Sequence, residues 1–110
     1  MAAVARALPP AIVIRSLPIR LLSSVTGADR RTVERWRSGT SPRARYRARV
    51  DELGAVLAIL GDGISEAGKR AWLEARNPFL RWERPADLLA EGRFDDVRGA
   101  AEAYQAGDSV

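Results

Sequence analysis

Residues 19–38 read IRLLSSVTGADRRTVERWRS, and the fold turns on whether this run is two short helices meeting at Gly27. A helix-turn-helix needs apolar residues beneath both helices, a small residue where they cross and a permissive residue in the turn. Leu22 and Val25 supply the inward face of the first helix, Ser23 the small crossing residue and Gly27 the turn. Glycine can enter the left-handed region without a Cβ clash. Asp29 stands where a side-chain N-cap is wanted, and Val33 and Trp36, three apart, anchor the second helix to a core. Arg30, Arg31, Thr32 and Arg35 are left on the N-terminal, outward part of that helix, the part that enters the major groove in this motif. Arginine forks onto guanine edges, and arginine or threonine can hold phosphates. An αα-hairpin that merely packs, with Trp36 in its core, is the competing reading.

Charge favours the first reading. Residues 1–50 hold eleven Arg against Asp29 and Glu34, a net of +9, whereas residues 51–110 set seven basic against twelve acidic groups, a net of −5. Of the 18 basic residues only Lys69 is not Arg. This asymmetry suggests a polyanion-binding half joined to a half with another partner; an arginine-rich solvated surface from a GC-rich genome is the plainer account. Just downstream, SPRARYRARV sets Arg43, Arg45, Arg47 and Arg49 at every second position. On a helix these point to several sides, so Arg43 and Arg45 are assigned to phosphate steering rather than base reading. Small modules of this kind usually bind DNA as two-fold dimers, and the long helix over 42–60 is a candidate dimer surface.

The rest of the chain also carries helical periodicity. Tyr46, Val50, Leu53, Leu57 and Leu60 follow a 4-3-4-3 spacing, one face of a helix opened by Ser41-Pro42 and stopped by Gly61-Asp62-Gly63. Ile64, Gly68, Ala71, Trp72 and Ala75 share a face of the next, which ends before Asn77-Pro78. Pro85 opens a short helix with Leu88 and Leu89, one expected inward and one available to a partner, and Gly92 ends it. Phe94, Val97, Ala101 and Tyr104 define the last, whose Asp95-Asp96 pair reads as a favourable helix start. No stretch alternates with period two. The expectation is an all-α fold of six or seven short helices, with a helix-turn-helix half over 1–50 packed with a helical half over 51–110.

At 110 residues the chain buries roughly two-thirds of its extended surface. Lacking both cysteine and histidine, it lacks the thiolate and the commonest general base and metal ligand. No catalytic residue, metal site or cofactor is expected, and a stand-alone enzyme is disfavoured. The start, MAAVARALPPAIVIRSLPIRLLSS, is acid-free like a targeting peptide. Its apolar run is short, however, and the helix-turn-helix needs these residues as its first helices. A cytoplasmic, unprocessed chain is expected, with no membrane partner.

Residues 71–94, AWLEARNPFLRWERPADLLAEGRF, and the terminal AYQAGDSV exceed what core-building needs. Here the chain resembles the Xre/MbcA/ParS family of bacterial antitoxins. Their C-terminal domain carries a Trp-Leu pair ending one helix, then Asn-Pro-x-Leu, then Pro-x-x-Leu-Leu, then a last helix ending near a terminal Gly. The matches are Trp72-Leu73, Asn77-Pro78-Phe79-Leu80, Pro85 to Leu89, and Tyr104 through Gly107 to Val110. The resemblance implies an antitoxin, within a hetero-oligomer in which it forms a homodimer. That antitoxin would block the active-site entrance of a RES-domain, NAD-consuming toxin and repress their shared operon. It places Asn77, Phe79, Leu80, Arg81, Trp82, Leu88, Tyr104, Gly107, Asp108, Ser109 and Val110 at the toxin. Two departures stand out. Many members read Gly-Gly-x-Thr-Pro where this chain has Arg81-Trp82-Glu83-Arg84-Pro85, and many end on an apolar residue soon after the last Gly, where Asp108-Ser109 precede Val110. Trp82, flanked by charges, is the candidate exposed anchor. The alternative is a stand-alone helix-turn-helix regulator whose acidic half dimerises or binds another partner.

Overall fold

Prolines and glycines divide the chain, and the helices fall between them. The computed structural model describes residues 6–107, and among these there are seven α-helices and one 3₁₀ turn. Helix α1 (Pro10–Ser16) begins on a proline and stops at Leu17, because a residue before proline is pushed out of the helical region. After Pro18, α2 (Ile19–Thr26) runs to Gly27, which sits left-handed at φ 82°. Helix α3 (Arg30–Arg37) is capped by Asp29. A long helix α4 (Ala44–Leu60) ends at Gly61, and α5 (Glu66–Glu74) is capped by Ser65, whose hydroxyl accepts from the Gly68 N–H. A 3₁₀ turn (Pro78–Leu80) precedes α6 (Pro85–Ala90) and α7 (Phe94–Gln105). The all-α expectation is met. No described helix is long and apolar enough to cross a membrane.

One core joins all of these. Helix α4 buries Val50, Leu53, Val56, Leu57 and Leu60 and packs against α1, α2, α6 and α7. Because it is covered from several sides, its buried stripe is wider than the 4-3-4-3 pattern and takes in Val56 and Gly54. Gly54 has a definite reason to lack a side chain. The segment before α1 crosses α4 there, with the Leu8 N–H donating to the Gly54 carbonyl at 3.1 Å. A Cβ at 54 would lie 2.5 Å from the Leu8 carbonyl oxygen and 3.3 Å from Val13. The close crossing offsets the roughly 1 kcal/mol that glycine costs inside a helix. Val13, Ile14, Leu17, Leu21 and Leu22 are buried in the same core, so the acid-free early segment supplies the first helices of the fold.

Three local expectations need correction. The long helix starts at Ala44 rather than at Pro42, and its N-cap Arg43 makes no side-chain cap. Residues 39–42 are used to turn from α3: Gly39 sits at φ 115° and the Thr40 N–H donates back to the Arg35 carbonyl at 3.0 Å. The first carbonyl to accept α4 hydrogen bonds is therefore that of Arg43. In α5, Ala71 and Ala75 are exposed, and Leu73 is the fully buried residue. The inward stripe runs through Ile64, Gly68, Trp72 and Leu73, with Trp72 only half-buried. Leu88 and Leu89 are both buried rather than divided between core and partner. Neighbouring residues point about 100° apart on a helix, and α6 is surrounded by α2, α4, α5 and α7, so both directions meet apolar cover.

Candidate functional site

The basic face is built by α3 and the start of α4. Asp29 Oδ1 accepts from the Thr32 N–H at 2.8 Å, which fixes the first turn of α3. That backbone hydrogen bond above all, then the Thr32 side chain, with the nearby Arg35 and Arg31 charges, holds the Asp29 carboxyl below its ordinary value despite some desolvation. A depressed carboxylate lends its stability above the unfolded value and loses it as pH falls through the folded one. The Ser23 hydroxyl donates to the Ala28 carbonyl, which ties α2 to the turn before α3.

Of the predicted DNA-facing residues, Arg30, Arg31 and Arg35 are exposed and Thr32 is half-buried. Arg30 turns along its own helix to pair with Glu34 at 3.0 Å. Thr32 and Arg35 of α3 come together with Arg43 and Arg45 around a cleft of about 300 Å³, whose floor is Trp36 and Tyr46. Trp36 and Tyr46 pack with ring centroids 5.6 Å apart. The Arg45 guanidinium lies 4.6 Å from the Tyr46 ring centre and donates to its hydroxyl at 2.6 Å, so that cation is positioned rather than free to sweep solvent. Arg47 and Arg49 turn away, to Asp51 at 3.0 Å and Glu52 at 3.2 Å. The cleft therefore gathers three arginines with the hydroxyls of Thr32, Thr40 and Ser41.

The second candidate region is the loop between α5 and α6, and Asn77 organises it. Asn77 is buried; its Oδ1 accepts from the Phe79 N–H at 2.9 Å. Its backbone carbonyl takes the N–H groups of both Leu80 and Trp82 at 2.9 Å, and its own N–H donates to the Glu83 carbonyl at 3.0 Å. Asn77 and Glu83 thus close the loop as an isolated antiparallel bridge. Leu80 is tucked beneath it, while Phe79 is 51% and Trp82 62% exposed. Arg81 and Trp82 take left-handed backbone, at φ 54° and 67°. Glycine enters that region most freely, so Arg81 and Trp82 stand where residue preference would favour glycine. Phe79 and Arg81 border a cleft of about 450 Å³ shared with Glu83, Arg93 and Asp96.

The structure sorts the predicted partner residues. Phe79, Arg81 and Trp82 are accessible; Asn77, Leu80 and Leu88 are buried and shape the loop from beneath. Tyr104 is half-buried against Trp72, edge-on at 6.4 Å, and Gly107 follows α7 at φ 86°. Asp108, Ser109 and Val110 lie outside the described residues.

No protein-family model matches the chain. A probable mycobacterial cidal antitoxin of Mycobacterium tuberculosis is 37% identical over 83 residues, covering 76% of this chain and 71% of that protein. The chain belongs to the mycobacterial cidal antitoxin family. Mycobacterial cidal antitoxin MbcA of Mycobacterium bovis and of M. tuberculosis is 26% identical over 87 residues, 78% of this chain and 77% of that one. A chain in the crystal structure of the M. tuberculosis MbcT–MbcA toxin–antitoxin complex shares the fold, with a TM-score of 0.74 over 91% of this chain and 96% of that one at 24% identity. The family resemblance read from Trp72-Leu73, Asn77-Pro78, Pro85 to Leu89 and the chain end is therefore correct.

One residue of this antitoxin carries a role that sequence reasoning missed. Arg37 Nε donates to the Ile14 carbonyl at 3.1 Å and its Nη2 donates to the Leu17 carbonyl. It ties α3 to the open carbonyl end of α1, where a cation is favourable. Nothing in the sequence distinguishes Arg37 from the arginines around it, because its partners are backbone atoms about twenty residues earlier.

Proposed function

We propose that this chain is the antitoxin of a type II toxin–antitoxin module. It is a non-catalytic cytoplasmic protein that covers the active site of a RES-domain, NAD-consuming toxin and, through α2 and α3, represses its own operon. The carrying observation is membership of the mycobacterial cidal antitoxin family together with a closed loop that exposes Phe79 and Trp82. The toxin-facing set is Phe79, Arg81 and Trp82 with the chain from Tyr104 onward; Asn77, Leu80 and Leu88 hold that surface in shape. A homodimer inside the hetero-oligomer matches the two-fold symmetry of operator sites. Co-expression with the toxin encoded beside the chain tests the reading. Growth and cellular NAD should stay at the level of toxin-free cells, and arrested growth with falling NAD would reject it.

The operator arm rests on Arg31 and Arg35, exposed on α3, and on the Thr32, Arg35, Arg43 and Arg45 cleft. Arg31→Ala should weaken operator binding by about 1–3 kcal/mol and leave toxin neutralisation intact. Affinity should also fall steeply with salt, since each neutralised phosphate releases counterions. Unchanged affinity of the variant at fixed salt would remove α3 from the groove. A flat salt response in the unaltered chain would give the basic face another purpose.

A further inference from the structure

Tyr46 is half-buried on the first turn of α4, and its ring packs 5.6 Å from that of Trp36, which is itself buried. That packing needs only the ring. The phenolic hydroxyl reaches past it and accepts from Arg45 Nη2 at 2.6 Å, while the guanidinium lies 4.6 Å from the ring centre. The hydroxyl therefore adds nothing to the core and fixes the place of one exposed cation. Nearby arginines are held differently. Among the described residues, Arg30, Arg47 and Arg49 are each paired with a carboxylate, and Arg35, Arg43 and Arg45 make no such pair. Those three border the cleft over Trp36 and Tyr46, where Thr32, Thr40 and Ser41 add hydroxyls.

On the operator reading above, we infer that Tyr46 is a positioning residue for DNA. It holds Arg45 against a phosphodiester of the duplex backbone, so that Arg45 supplies affinity without reading sequence. The surroundings of the cleft stay positive with every neighbouring acid counted. Residues 29–52 carry eight Arg against Asp29, Glu34, Asp51 and Glu52, a net of +4. A phosphodiester is the anion that a basic, hydroxyl-lined cleft beside a helix-turn-helix meets. Arginine presents five N–H donors, and Tyr46 engages one of them, which leaves the guanidinium able to meet phosphate oxygens. A side chain already held in place loses less freedom on binding than one free in solvent.

The test compares the full chain with Tyr46→Phe, with Arg45→Ala and with the double variant. Each is titrated over a range of salt against a duplex from the promoter ahead of the chain's own gene, and against a duplex of the same bases in scrambled order. Arg45→Ala should weaken binding to both duplexes in the same proportion and lower the slope of log affinity against log salt by about one per bound chain. Tyr46→Phe keeps the ring, so it should melt within a few degrees of the parent while binding to both duplexes weakens about three- to ten-fold. In the Arg45→Ala background the same substitution should change nothing, because the group it positions is gone. A Tyr46→Phe loss that persists without Arg45 would make the hydroxyl a contact or a structural group in its own right and overturn the positioning role. So would a Tyr46→Phe protein that binds like the parent or melts far below it. A loss from Arg45→Ala confined to the promoter duplex would make Arg45 a base reader and overturn the phosphate assignment. In each of these cases the parent still binds its promoter and the operator reading stands. A parent that binds neither duplex overturns the inference together with that reading.

Discussion

Trp36→Ala is expected to destabilise the chain by about 3–5 kcal/mol, on the order of a third or more of the stability of a domain this size. Trp36 is 5% exposed and is the largest side chain joining α3 to the rest of the core. Its loss leaves a cavity under Tyr46, whose ring packs 5.6 Å away, and removes an aromatic contact worth roughly 0.5–1.5 kcal/mol beyond its area. In a chain of this length the melting temperature should drop by roughly 10–25 °C. The three tryptophans form a graded series. Trp72 is half-buried and should cost less, and Trp82 at 62% exposure should cost almost nothing. Thermal unfolding of the three alanine variants checks the order, and a Trp36→Ala protein that melts like the parent would remove Trp36 from the core.

Removal of residues 105–110 is expected to weaken toxin inhibition on the order of 100-fold or more, because a terminal segment over the toxin's active site would concentrate the binding energy in a few residues. Stability should barely change. Gln105, Ala106 and Gly107 are exposed, whereas Val97, Ala100, Ala101 and Ala103 of α7 are buried. Frayed helix ends open at little cost, so the truncation separates neutralisation from folding. A truncated chain that still protects the cell would reject the terminal plug.

The turn at 27–29 was legible because its chemistry is local. A glycine in left-handed backbone, a side-chain cap three residues from its N–H donor, and two apolar residues three apart all leave marks within ten residues. The helix stop at Asn77-Pro78 and the helix start at Pro85 were legible locally, whereas the string between them was singled out only through resemblance, which named the region without its geometry. Four features could not be read. The Arg37 ties to the Ile14 and Leu17 carbonyls are tertiary. The burial of both Leu88 and Leu89 depends on four helices surrounding α6. The left-handed pair at Arg81-Trp82 runs against residue preference, since the loop's hydrogen bonds impose it. The role of Gly54 belongs with these, because the segment it admits lies more than forty residues earlier.

The most direct test titrates the purified full chain into the purified toxin and follows NAD consumption. Consumption should fall to background as the chain reaches stoichiometric amounts, with the 105–110 deletion needing far more protein for the same effect. NAD consumption that continues unchanged at a saturating excess of the full chain would contradict the account.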